Sequence, residues 1–107
     1  MNRKKEIGRL ICYRIRERLA PGKRTRFSQK LYGYKDRSFY GHHEYLREGI
    51  LGKIPHIIPV RAAIITRKEY AKDVERFLRK YARVRCWNII LTERDFKVMD
   101  VRAKDKG

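Results

Sequence analysis

Apolar residues recur along the C-terminal half of the chain with two different periods, and the change from one to the other marks out its elements. Val60, Arg61, Ala62, Ala63, Ile64 and Ile65 form a short, mostly apolar run suited to a buried strand. From Lys68 to Tyr81 the spacing lengthens. Tyr70, Val74, Phe77, Leu78 and Tyr81 fall at i, i+4, i+7, i+8 and i+11, one face of a helix whose other face is Lys68, Lys72, Asp73, Glu75, Arg76 and Arg79. Thr66-Arg67-Lys68-Glu69 has the pattern of a capping box and predicts that this helix starts at Thr66. Val84 to Leu91 returns to strand formers, with Cys86, Trp87, Ile89, Ile90 and Leu91; Cys86 and Trp87 are expected in the core. Strand, helix and strand make a β-α-β unit with a parallel crossover. A second box-like start, Thr92-Glu93-Arg94-Asp95, predicts a last helical turn through Phe96 and Met99, followed by a frayed tail over residues 102–107.

The N-terminal third supports two readings. Ile7, Ile11, Ile15 and Leu19 step by four, as on a helix, although Arg14 and Arg18 then fall inside the apolar arc. As a strand, Ile11, Tyr13 and Ile15 alternate with Cys12, Arg14 and Arg16. Good helix formers and the stop-like Ala20-Pro21-Gly22 favour the helix. A second short helix is expected from Lys23 to Tyr32, with Phe27 and Leu31 at i and i+4. Phe39 to Pro59 is punctuated by Gly41, Gly49, Gly52, Pro55 and Pro59, with a strand through His42 to Arg47 and a turn at Gly49-Ile50-Leu51-Gly52-Lys53. The expected fold class is α+β. One domain spans residues 1–107, with N-terminal helices (a basic helical arm, 1–37), a central strand and turn region and the C-terminal β-α-β unit (38–101 as the α+β core).

Charge shifts attention from fold to partner. Lys+Arg number 29 against Asp+Glu 12, a net +17 over 107 residues. The surplus is uneven: +10 in residues 1–37, +1 in 38–66 and +6 in 67–107. Ile, Leu, Val and Phe still make up 27 residues, enough for a small core. No window approaches 18 consecutive apolar residues, and Met1 to Glu6 leads into Arg-interrupted sequence, so neither a membrane span nor a signal segment is read. Cys12 and Cys86 are too few for a disulfide framework, which points to a reducing, cytoplasmic compartment.

The densest chemistry lies where cations and aromatic rings interleave, from Arg24, Arg26 and Phe27 through Tyr45. Guanidinium and ammonium groups neutralise phosphates and release counterions, while planar rings stack on unpaired bases for ~1–3 kcal/mol each. Arginine outnumbers lysine, 17 to 12, which suits bidentate phosphate contacts. The candidate RNA-binding residues are Arg14, Arg16, Arg18, Lys23, Arg24, Arg26, Lys30, Tyr32, Tyr34, Lys35, Arg37, Tyr40, His42 and His43. A membrane surface is a poorer partner, because Arg14 and Arg18 intrude on the apolar face of the first helix. The two N-terminal helices would imitate a helix-turn-helix, but the second is short and poor in the uncharged side chains that share base readout, so DNA ranks below structured RNA. His42 and His43 beside Glu44, with His56, are the general acid/base candidates, and a small ribonuclease or ribosome-dependent mRNA interferase is the rival function. No paired metal-ligand spacing and no phosphate-loop, zinc-hydrolase or nucleophile-elbow motif occurs, so no cofactor and no metal are expected.

In its composition over all 107 residues, and in the style of the Arg24 to Tyr45 segment, the chain resembles the small Arg/Lys-rich accessory ribosomal proteins of hyperthermophilic archaea. Asn, Gln, Ser and Thr total only eight, in keeping with a hot source. The resemblance implies a non-catalytic component clamped on rRNA, beside other ribosomal components, with the basic N-terminal third facing the RNA.

Overall fold

The computed structural model describes residues 6–38 and 43–104. Residues 6–15 form a strand, β1 (Glu6–Ile15), rather than the helix that propensity favours. A step of four keeps positions 7, 11 and 15 on one side of a strand as well as of a helix, so the isoleucines do not discriminate. Tyr13 and Arg14 do: only alternation turns Tyr13 inward with Ile11 and Ile15 and leaves Arg14 exposed. Pairing on both edges then overrides a weak helical preference. Nor is Pro21 a stop. It opens α1 (Pro21–Tyr32), where the N–H it lacks would have had no helical partner.

α1 ends at Gly33, whose φ of 89° suits a residue without Cβ. A Cβ there would lie 2.4 Å from the Arg47 carbonyl oxygen. The chain passes straight into β2 (Gly33–Ser38), a strand not read from the sequence, which pairs antiparallel with β3 (His43–Glu48). The expected turn follows as a 3-10 helix over Ile50–Lys53, with Leu51 buried. Then come β4 (His56–Ile57), β5 (Ala63–Arg67), α2 (Lys68–Arg79), β6 (Ala82–Leu91) and α3 (Glu93–Lys104).

The α+β main sheet has the order β4-β5-β1-β6, every neighbour antiparallel. β5 and β6 therefore run parallel to each other and are joined by α2, the expected β-α-β unit, but β1 lies between them. Set the β2-β3 hairpin aside and β1-α1-β4-β5-α2-β6 has the strand order of a split β-α-β, or ferredoxin-like, arrangement.

The two capping boxes come out differently. Thr66 lies in β5, opposite Arg9, fully buried and with no hydrogen-bond partner for its Oγ1, and the cap position of α2 falls to Arg67 without a side-chain bond. Pairing with β1 keeps residues 66 and 67 extended, so the hydroxyl is in the sheet when the helix begins. At Thr92 one half of the box forms: the Asp95 carboxylate reaches back to accept from the Thr92 N–H at 2.7 Å, and the Thr92 hydroxyl donates to the same carboxylate at 3.1 Å. From there α3 runs on to Lys104, so residues 102–104 are helical rather than part of a frayed tail.

The core fills the space between one face of the sheet and the helices α1 and α2. Ile11 and Ile64 meet Phe27 and Leu31 of α1 and Val74, Phe77 and Leu78 of α2. Phe27 stacks on Phe77 with centroids 5.6 Å apart and meets Tyr13 edge-on at 5.5 Å. Strand alternation sends the other set of side chains to the opposite face: Leu10, Cys12 and Arg14 of β1, Ile65 and Arg67 of β5, and Arg83, Arg85, Trp87 and Ile89 of β6. α3 covers one end of that face, with the Arg67 guanidinium 4.8 Å from the Phe96 ring centroid and Leu91 and Met99 buried. The end carrying Arg14, Arg83 and Arg85 is exposed.

Candidate nucleic-acid interface

The β1-α1 loop carries the first group of cations, and its shape is fixed by one of them. Arg24, on α1, donates from Nε to the Leu19 carbonyl at 3.2 Å and from its terminal nitrogen to the carbonyls of Glu17 and Arg16 at 3.1 and 3.4 Å. Arg16 in turn donates to the Arg79 carbonyl at 3.2 Å. These bonds satisfy loop carbonyls and hold Arg14, Arg16 and Arg18 beside Arg83 of β6 around a cleft of about 360 Å³. Glu17 is the one carboxylate lining it, paired with Arg14 at 3.6 Å. Four guanidiniums around one carboxylate raise the local concentration of anions. A larger groove of about 580 Å³ between α1, the 3-10 turn and α2 is lined by Lys30, Lys53 and Lys80 but also by Glu48 and Asp73, so its charge is mixed.

The second group lies on α1 and the hairpin. Lys23, Arg26 and Lys30 are exposed along α1, whose buried residues are Phe27 and Leu31. Tyr34 (40% exposed) and Lys35 follow on β2. On β3, Arg47 pairs with Asp36 at 3.2 Å and lies 5.7 Å from the centroid of the Tyr45 ring. In the hairpin register Arg37 stands opposite Glu44, and His43 opposite Ser38. Tyr40 and His42 lie outside the described residues. Tyr32 does not join the stacking surface: its ring packs against the core and its hydroxyl bonds that of Tyr13 at 2.6 Å. Burial, and then that bond, push the Tyr13 phenol well above its ordinary range.

Three residues that were not singled out as site residues belong with these. Trp87, expected in the core, is 50% exposed on the face turned away from α1 and α2, in line with Arg83 and Arg85. The signal was the alternation Arg83, Arg85, Trp87 against Val84, Cys86. Cys86 does turn inward, half-buried against the core. Its thiol donates to Glu75 Oε1 at 2.7 Å, and burial, reinforced by that bond and the Glu75 charge, pushes it up to about 11. Glu75 also meets Arg9 at 3.4 Å and Arg79 at 3.8 Å, while Arg9 donates to Asn88 at 2.8 Å. Cys12 lies on the other face, so the two free thiols are separated by the sheet. His56, the third acid/base candidate, is buried with Nδ1 2.7 Å from the Ile54 carbonyl. Among the described residues no three His, Cys, Asp or Glu side chains come together as a metal site, and no helix is long and apolar enough to cross a membrane.

Comparison with known proteins finds no family model, no curated protein and no solved structure that matches this chain.

Proposed function

We propose that the protein is a non-catalytic RNA-binding protein of the cytoplasm that docks on structured RNA, rRNA in the first instance, through the arginines of its β1-α1 loop and the cations of α1. The observation that carries this reading is the cleft in which Arg14, Arg16, Arg18 and Arg83 face a single carboxylate. Such a cluster repels itself in the free protein and is relieved by phosphates, whose neutralisation releases counterions. Lys23, Arg26 and Lys30 extend the positive surface along α1, and Tyr34 and Lys35 carry it onto the hairpin. Arg24 supports the site by holding the loop.

Sedimentation of cell lysate on a density gradient, probed at low and high salt, tests the partner: comigration with a ribosomal subunit at low salt and release at high salt are expected. Binding of purified protein to structured RNA should weaken ~10³–10⁵-fold between 50 and 200 mM salt if 6–10 phosphates are contacted. The double variant Arg14→Gln, Arg18→Gln should lower the salt slope by about two. A salt-independent affinity, or a variant that binds like the parent, removes the cleft from the interface. Defined cleavage of labelled RNA that is lost in His42→Ala or His43→Ala would replace this reading with a nuclease.

A further inference from the structure

From the open end of the sheet we infer an extension of the RNA surface, for an unpaired nucleotide, with the base stacked on Trp87 and the adjoining phosphates held by Arg85 and by Arg83 and Arg14, which it shares with the loop cleft. The inference rests on the reading that the protein binds RNA, and it adds a class of target, single-stranded segments, to the structured RNA taken by the loop and α1.

Exposure and placement carry it. An indole is among the largest apolar side chains, and Trp87 lies half in solvent on a strand at the edge of the sheet. Its neighbours on the same face are Arg85 and Ile89 along β6 and Leu10 across β1. Beyond Arg85 come Arg83 and, opposite it, Arg14. A two-residue step along a strand is about 6.6 Å, so Trp87, Arg85 and Arg83 form an evenly spaced row of one ring and two cations. Flat apolar surface at one end and guanidiniums at the other match the base and the backbone of an extended strand of nucleic acid.

Charge argues against the commoner explanation of an exposed tryptophan, contact with a neutral protein surface. Among the described strand residues of this face the one carboxylate is Glu6, opposite Leu91 at the far end, while the open end carries three arginines. The interior of a duplex does not fit the ring, because its bases are stacked on each other and offer no free face.

Trp87 is the only tryptophan in the chain, so its emission reports on this site alone. The test titrates the purified protein, in low salt, with a labelled oligouridylate and separately with a labelled RNA duplex, reading label anisotropy and tryptophan emission together. Saturable quenching by the single strand, and none by a duplex that nevertheless binds, is the expected result. Trp87→Ala should weaken the single strand about five- to 150-fold, with Trp87→Phe recovering part of the loss and duplex affinity unchanged. Single-strand binding that leaves the emission unaltered, equal quenching by the duplex, or an emission shift that follows protein concentration without RNA would overturn the site, the last by assigning the face to a second copy. If neither RNA binds by anisotropy, the parent reading fails as well, and the two failures are told apart. Because Trp87 is half exposed, circular dichroism should find the fold intact in both variants.

Discussion

The two faces of the β1-β6 pair differ in almost every physical respect although they alternate residue by residue. Toward α1 and α2 lie Ile11, Tyr13, Ile15, Val84 and Cys86, and the one charged cluster there, Glu75 with Arg9 and Arg79, is internally paired. Away from those helices lie Arg14, Arg83, Arg85 and Trp87, exposed and all of one charge sign where charged. The first face is filled by the helices from Ile11 to Ile15, and its far end, at the Ile7–Ile90 pair, is open but uncharged. The second carries an exposed ring beside a run of like charges, and this difference in charge is the physical argument for the polyanionic partner proposed above.

The largest effect should come from exchanging aromatic rings for alanine on the two faces. Phe27→Ala opens a cavity between Tyr13, Phe77 and Tyr81 and should cost ~3–5 kcal/mol, a large share of a small domain's stability. Trp87→Ala should cost less than about 1.5 kcal/mol, since half of the indole is already wet. Urea unfolding measures both, and similar losses would mean that the second face is packed after all. Next in size is Gly8→Ala, at the covered end of the same face. A Cβ there would lie 2.6 Å from Leu91 Cδ1 and 2.8 Å from the Thr66 carbonyl oxygen, so overpacking of roughly 1–3 kcal/mol is expected. A neutral Gly8→Ala would show that Leu91 yields freely and that the covered end is looser than its burial implies.

How much of this was legible depends on what decided each element. α2 and β6 were readable because local period and tertiary environment agree: Val74, Phe77 and Leu78 face the core as the helical spacing requires. α1 was legible through Phe27 and Leu31. β1 was not, because its isoleucine spacing fits either period and the decisive influence, pairing with β5 and β6, comes from residues more than fifty positions away. For the same reason Thr66 looked like a cap: the motif is local, while the register that buries its hydroxyl is not. Of the site, Lys23, Arg26, Lys30 and Tyr34 are exposed, which a binding surface requires. Arg24 and Tyr32 have the right chemistry but are tied to the fold, by bonds that no spacing announces. Trp87 was misplaced because tryptophan is apolar by composition, whereas its alternation with Cys86 already put one of the two outside.

A smaller effect should appear on raising the pH, and it belongs to the helix-covered face. Cys86 moves from an ordinary value near 9 to about 11, and Tyr13 also moves upward. The folded state therefore holds these protons more tightly than the unfolded chain. The stabilisation is full below about pH 9 and is lost as the pH rises through 11 for Cys86, with Tyr13 following at higher pH. Unfolding midpoints measured under reducing conditions should fall across this window. Cys86→Ala should flatten the fall up to pH 11, and an unchanged slope would show that neither burial nor the Glu75 contact holds the thiol proton.

The smallest expected change is the most discriminating between the faces. Arg14 and Arg83 are direct cross-strand partners, and like charges in that position oppose each other by ~0.2–1 kcal/mol. Arg83→Gln should therefore stabilise the free protein by a few tenths of a kcal/mol at low salt. The gain should vanish near 1 M salt, where screening acts within about 3 Å. The same substitution should lower the salt slope of RNA binding by about one. Arg76→Gln, which removes an equal charge from the exposed side of α2, is the control for net charge. If both variants gain equally, the benefit is general self-repulsion and the cross-strand pair has no special standing. If Arg83→Gln alone gains stability while losing RNA affinity, a position that costs the free protein free energy is one the complex uses, as a face made complete by its partner requires.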